Sequence, residues 1–237
     1  MKEIKNIVLN IPHSSMNKYN EGWDIKDVDI DNQFLENVKY QTDLYTDIIF
    51  DFNDSKNIQS IIADVNRFYC DVERLENDIL EQYGNGIIYT KSPIGIERNL
   101  TDEKKEEILN TIYYPHIKKV KSLLNENSLL IDCHSFNDDN FNSGIDINLG
   151  FNEDWSKPCQ ELFDLIYNYF IEEKYVIGIN TPYSNSFAPK TDFDYPSIMI
   201  EVNKKLYLRE DNKLQTDAYK FHYKIVRLYR EILGSNF

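Results

Sequence analysis

With 237 residues the chain is long enough for one sizeable α/β domain or two small ones, and 41% hydrophobic content with 17 Tyr and 13 Phe supplies a core that a disordered chain lacks. Asp and Glu number 40 against 26 Lys and Arg, so the net charge of −14 repels DNA, RNA and anionic membrane surfaces and argues against all three as partners. No run approaches the roughly 20 apolar residues of a membrane span, and Met1-Lys2-Glu3-Ile4-Lys5 lacks the apolar core of a signal peptide, so the cytoplasm is the expected location.

Residues 4–11 are a short apolar run, predicted to be a central strand buried on both faces, and Pro12-His13-Ser14-Ser15 ends it. Residues 16–32 are polar and aromatic and read as an irregular loop. The spacing of Phe34, Leu35, Val38, Leu44, Tyr45, Ile48 and Ile49 predicts one helix over 31–50, with acids crowding its start as the helix dipole favours. Asp43 and Asp47, four apart, would share a face of it. Strands are predicted at 58–63 and around 68–72. Residues 75–99 hold Gly84-Asn85-Gly86 and Ser92-Pro93, a long excursion of the kind that often carries function. Thr101, followed by acids, is the expected N-cap of a helix reaching Leu124, which Pro115 should kink or divide.

Further strands are predicted at 128–134, 145–149, 176–179 and 197–202, and helices at 161–172 and 211–233. Asn180-Thr181-Pro182-Tyr183 leaves the strand at 179, and 184–196 is a loop. About six strands alternating with four or so helices predict a three-layer αβα domain with a mixed, mostly parallel sheet. No linker or repeat divides it, so 1–237 reads as one domain. Cys70, Cys133 and Cys159 match neither a metal-binding CxxC nor an even disulfide framework. The richness in Asn, Lys and Ile looks like a chain from an AT-rich bacterial genome.

In open α/β sheets ligands gather at the carboxyl ends of strands. His13 and His134, two of only four histidines, each end an apolar run there. Catalytic zinc takes about three protein ligands, commonly two His and a carboxylate. Asp43 is the chosen carboxylate, with Asp47 nearly as plausible from spacing. Glu201, inside Ser197-Ile198-Met199-Ile200-Glu201-Val202, is costly to bury without a partner, which points to function or to an ion pair. Arg67 and Arg74 flank the run at 68–72. They fit either solvated charges on an edge strand or capture of an anion, since Arg grips a carboxylate in a bidentate fork. His116, in Tyr113-Tyr114-Pro115-His116, is either a substrate contact or a helix-surface residue.

Seven segments together resemble, in order, motifs of the N-formylglutamate amidohydrolase family: Ile11-Pro12-His13-Ser14-Ser15, Thr42-Asp43-Leu44-Tyr45-Thr46-Asp47, Asn66 to Arg74, Tyr113 to His116, Ile131-Asp132-Cys133-His134-Ser135-Phe136, Asn180-Thr181-Pro182-Tyr183 and Ile198 to Asn203. The resemblance implies a fold similar to zinc carboxypeptidases and aspartoacylases, in the phosphorylase/hydrolase-like class. It implies a Zn2+-dependent hydrolase of N-acylated acidic amino acids, with a small anionic substrate such as N-formyl-L-glutamate. His13 and His134 match the metal histidines, with Asp43 expected as the acidic ligand. Glu201 matches the catalytic Glu and would accept a proton from water. Arg67 would stabilise the oxyanion and Arg74 would hold a substrate carboxylate. Ser135, His116 and Asn180 are expected at the substrate, Ser135 alternatively orienting His134 along with Asp132. Carboxypeptidases carry a Glu three residues after the first His, where this chain has Met16. Asn66 stands where Ser is usual in the family, and Ser184-Asn185-Ser186 where Ser-Gly-Ser is common. The alternatives are an amidase or peptidase for another N-acyl amino acid or small peptide, and a non-catalytic carboxylate binder of the same fold.

Overall fold

The computed structural model describes residues 3–54, 56–141 and 143–235. The chain forms two compact units. The first gathers Met1–Ile11, Tyr45–Ile61 and Val120–Phe237; the second gathers Pro12–Leu44 and Ile62–Lys119.

The first unit is built on six strands, β1 (Asn6–Ile11), β2 (Ile58–Ile62), β3 (Ser128–Phe136), β4 (Ile147–Gly150), β5 (Ile177–Ile179) and β6 (Ser197–Asn203), in the order β2-β1-β3-β6-β4-β5. Strands β1, β3 and β6 run parallel; β4 is antiparallel to β6 and parallel to β5. This is the expected mixed, mostly parallel sheet. Its central strand β3 is buried at all nine positions, as a strand covered on both faces must be.

Six helices are named in chain order: α1 (Val28–Gln41), α2 (Thr46–Phe50), α3 (Asp102–Ile108), α4 (Tyr114–Leu123), α5 (Gln160–Glu172) and α6 (Ala218–Leu233). In the first unit α2 touches β1 and β3, α5 touches β5, and α6 touches both α2 and α5. Helices on opposite faces of a sheet cannot meet, so these three form one layer. The buried stripe of α6, Phe221, Ile225, Leu228, Tyr229 and Ile232, recurs at the three- and four-residue spacing of a single helix face.

Alternation along a strand then sorts the sheet's residues. Leu9, Ile11, Ile131, Cys133, Ile200 and Val202, all fully buried, point to one face. The nearby phenol of Tyr229, on α6, identifies this face as the helix-covered one. Asn10, Asp132, His134, Glu201 and Asn148 share the other face: Asn10 pairs with Asp132, His134 with Glu201, and Glu201 with Asn148.

The second unit holds α1, α3 and the residues between β2 and α4. It has two aromatic-rich clusters, one around Trp23, Phe34, Val38, Phe68 and Tyr89 and one around Val65, Tyr69, Val72, Ile108 and Tyr113. Residues 66–74 form turns here, where the sequence predicts a strand. The Asn66 side chain accepts the amide of Phe68 (3.0 Å) and its carbonyl accepts those of Tyr69 and Cys70 (2.8 and 3.1 Å), so the chain curls instead of extending. Buried Phe68, Cys70 and Val72 gave this segment the apolar look of a strand.

Three other boundaries differ from expectation. The single helix predicted over 31–50 is two. Thr42 leaves α1 in an extended conformation, and Tyr45 enters α2 left-handed with φ 65°. Asp43 lies in the break and Asp47 in the first turn of α2, so they share no helix face. The helix after Thr101 continues through a π-helical turn at Leu109–Tyr113, just before Pro115. Pro115 has no N–H to return to the preceding turn, and the wider π spacing absorbs the loss. The last helix starts at Ala218 rather than at 211, because Arg209 and Lys213 pair their backbones in a turn and Leu208 bridges Leu214.

Candidate active site

In the second unit, His13 follows β1 by two residues and is fully enclosed by carboxylates. Its Nε2 lies 2.8 Å from Asp71 Oδ1 and 3.5 Å from Glu73 Oε2, and its Nδ1 lies 3.7 Å from Asp43 Oδ2. Asp43 is placed there by its backbone, whose N–H donates to the His13 carbonyl (3.0 Å). The other candidate, Asp47, belongs to α2 of the first unit and is half-buried, with its carboxyl raised by that burial.

Asp71 is buried with every lone pair engaged. Its Oδ1 faces His13 and accepts the Glu73 amide (3.2 Å), while its Oδ2 accepts from Arg67 Nη2 (3.0 Å) and from the Tyr89 hydroxyl (3.1 Å), with Arg74 Nε at 3.7 Å. Burial opposes charge on this carboxyl, but His13, Arg67 and Arg74 outweigh it and hold it well below the usual range. An ionised Asp71 can only accept, so His13 carries a proton on Nε2 and turns its Nδ1 edge toward Asp43.

The 66–74 turns are held on both sides. Asn66 Nδ2 donates to the Ser15 carbonyl (2.7 Å) and the Thr42 hydroxyl (2.9 Å), tying the segments that carry His13 and Asp43 to the one that carries Asp71. This gives the departure from Ser at Asn66 a structural use. Arg98 lies beneath, donating from Nη1 to the carbonyls of Phe68 and Tyr69 (3.0 and 2.9 Å) and from Nε to that of Glu21 (2.8 Å). Met16 packs against the Trp23 cluster, and its sulfur accepts from the Thr42 hydroxyl (3.4 Å).

In the first unit the sheet face builds a similar pair. His134 Nε2 stands 3.2 Å from Asp132 Oδ1. Asp132 is fixed by Asn10 Nδ2 (2.9 Å) and by the Phe187 amide (3.0 Å), and burial is again outweighed, so its carboxyl is lowered by His134. Glu201, buried beside His134 in register, has its Oε2 3.5 Å from Asn148 Nδ2. Asn148 in turn donates to the Tyr183 carbonyl (2.8 Å) and accepts from the Thr181 amide (3.1 Å).

Histidine nitrogen and carboxylate oxygen are the donors that zinc takes, and among the described residues one atom each from His13, Asp71 and Glu73 lie within 4.8 Å of one another. The same buried chemistry could hold a divalent ion. A family model for N-formylglutamate amidohydrolase matches residues 5–208. The chain belongs to the N-formylglutamate amidohydrolase family. It is therefore a hydrolase of amide bonds, and a family member's substrate is a small molecule. The fold agrees with solved relatives. A crystal structure of N-formylglutamate amidohydrolase from Ralstonia eutropha JMP134 matches with a TM-score of 0.77 at 17% identity, over 98% of this chain and 94% of that one. The gene product Atu2144 from Agrobacterium tumefaciens matches at 0.63 and 14%, over 96% and 92%. No curated protein matches the sequence. No helix of the described residues is long and apolar enough to cross a membrane.

Arg67 and Arg74 both bear on Asp71 and sit on turns, so the edge-strand reading of their charges is not what the chain uses. His116 is buried in α4 and is not a surface residue. Ser135, one residue past His134, points to the opposite face by strand alternation, and its buried Oγ has no hydrogen-bond partner among the described residues. Asn180 spends its Oδ1 on the amides of Phe151 (3.0 Å) and Asn185 (3.4 Å), holding the loop after β5. Sequence reasoning gave no role to Asn10, Asn148 or Tyr89. All three are uncharged, and only their partners reveal them.

Proposed function

We propose that the chain hydrolyses N-acylated acidic amino acids, N-formyl-L-glutamate first among them, with a zinc ion held by His13, Asp43 and His134. The observation that carries this reading is the shared arrangement of the two histidines. Each has its Nε2 against a buried, hydrogen-bonded aspartate, Asp71 for His13 and Asp132 for His134. Carboxylates placed this way orient metal-binding imidazoles. The 3.7 Å between His13 Nδ1 and Asp43 Oδ2 is long for a hydrogen bond, and a nitrogen and a carboxylate oxygen this close would both be available to hold one ion.

Zinc in such a site polarises the amide carbonyl and eases the ionisation of water. Glu201 takes the water's proton and returns it to the leaving amine, its carboxylate aimed by Asn148. Arg67, pinned through Nε and Nη2, faces the charge developing on the carbonyl oxygen. Arg74 holds the carboxylate of the substrate, against a background net charge of −14. A less anionic N-acyl amino acid is the second reading, because both arginines already share Asp71.

Formate release from N-formyl-L-glutamate, set against N-acetylglutamate and N-formylglutamine, tests the substrate. Glu201→Gln should lower kcat by about 10²–10⁴-fold while leaving metal content unchanged. Wild-type kcat in that variant removes Glu201 as the base.

A further inference from the structure

Tyr89 lies in the long excursion between Arg74 and Thr101, far in sequence from every motif residue, yet its hydroxyl sits at the centre of the second unit's polar cluster. The phenol is buried, its ring packed against Phe68 at 5.5 Å between centroids. Its oxygen accepts from Arg67 Nε (3.2 Å), and its proton goes to Asp71 Oδ2 (3.1 Å). Arg67 Nη2 donates to the same Oδ2 at 3.0 Å, closing a three-membered ring of hydrogen bonds. Asp71 Oδ1 is thereby left to His13 Nε2 at 2.8 Å.

We infer that Tyr89 is a positioning residue that sets two groups at once: the Asp71 carboxylate that orients His13, and the Arg67 guanidinium. A guanidinium and a carboxylate can form a bidentate pair using both oxygens. Here the phenol takes Nε, so Arg67 reaches only Oδ2 and the second oxygen stays with the imidazole. Without the hydroxyl, Arg67 is free to turn both of its donors onto Asp71 and compete with His13 for Oδ1. The fold alone does not require a hydroxyl there, since Phe fills the same volume among the aromatic neighbours. The inference rests on the proposed role of His13 as a metal ligand.

The test is Tyr89→Phe, which keeps the ring and its packing. Zinc affinity of the apoprotein is measured by chelator competition, and kcat and KM are measured on the zinc-loaded enzyme. Partners that orient a ligating histidine are typically worth roughly 10–100-fold in metal affinity. Acting one bond further out, Tyr89→Phe should weaken zinc by about 3–10-fold and lower kcat about tenfold, with KM within about twofold. In an Asp71→Asn background the same change should add almost nothing to the loss of zinc affinity, because the path through Asp71 is already cut. Wild-type zinc affinity and kcat in Tyr89→Phe overturn the inference, as does an equal loss of affinity in both backgrounds. If His13→Ala abolishes zinc binding while Tyr89→Phe keeps it, only the role of Tyr89 fails. If the wild type takes up no zinc, the metal reading fails and takes the inference with it.

Discussion

At the scale of single residues, the second unit is organised by buried charges that hold other charges or backbone carbonyls. Arg98 is the plainest case. It is almost fully buried, its guanidinium is pushed down to about 10 by that burial, and it stacks on Trp23 and Tyr69 at 5.6 and 5.1 Å. Its donors satisfy three backbone carbonyls that no strand or helix ladder serves, two of them in the turns that carry Arg67 and Asp71. Leaving buried carbonyls unpaired costs about 1–3 kcal/mol each. Arg98→Met, which keeps much of the aliphatic stem, should therefore destabilise the fold by about 2–4 kcal/mol. The urea midpoint should fall with an unchanged slope. A change below about 0.5 kcal/mol would show that water serves those carbonyls as well as Arg98 does.

At the scale of elements, the sheet places the catalytic candidates through strand alternation and the loops lock them. Asn180 and Asn148 hold the turn after β5, and that turn folds back closely enough that a Cβ on Gly178 would collide with the Thr181 carbonyl and crowd Ile145. Gly178→Ala should cost about 1–3 kcal/mol from overpacking. It should also lower kcat, because the displaced turn carries the Tyr183 carbonyl that aims Asn148 at Glu201. Thermal unfolding and steady-state kinetics read the two effects; unchanged values in both would show the turn relaxing freely. Strands and long helices were legible in the sequence because continuous apolar runs and 3.6-residue spacing report burial directly. The turns at 66–74 were not, since Phe68, Cys70 and Val72 are buried by a curled backbone as deeply as by an extended one. The break at Thr42–Tyr45 was hidden for a similar reason: apolar residues on both sides keep the helical spacing, and only the left-handed Tyr45 reveals the stop.

At the scale of the whole molecule, each of the two compact units holds its own buried polar cluster. The first supplies Asp132, His134, Glu201 and Asn148 along one sheet face, and the second supplies His13, Asp43, Asp71, Arg67 and Arg74 around one buried carboxylate. The histidines and Glu201 stood out in the sequence because such groups are costly at strand ends unless used. Asp71 and Asp132 carry the stronger electrostatic argument; Asp132 is expected beside His134 from the sequence, whereas Asp71, an acid in an acidic chain, gains its role only through its partners. The arginines are the least settled by sequence, because the same guanidinium fork that grips a substrate carboxylate also grips Asp71. We propose that the two aspartate-backed histidines hold a catalytic ion together with Asp43. The most direct measurement is the metal content of purified wild type, His13→Ala and His134→Ala by elemental analysis. About one zinc per chain is expected in the wild type and little in either variant, with formate release lost in step. A wild type that releases formate without bound metal, or two variants that retain their zinc, would contradict it.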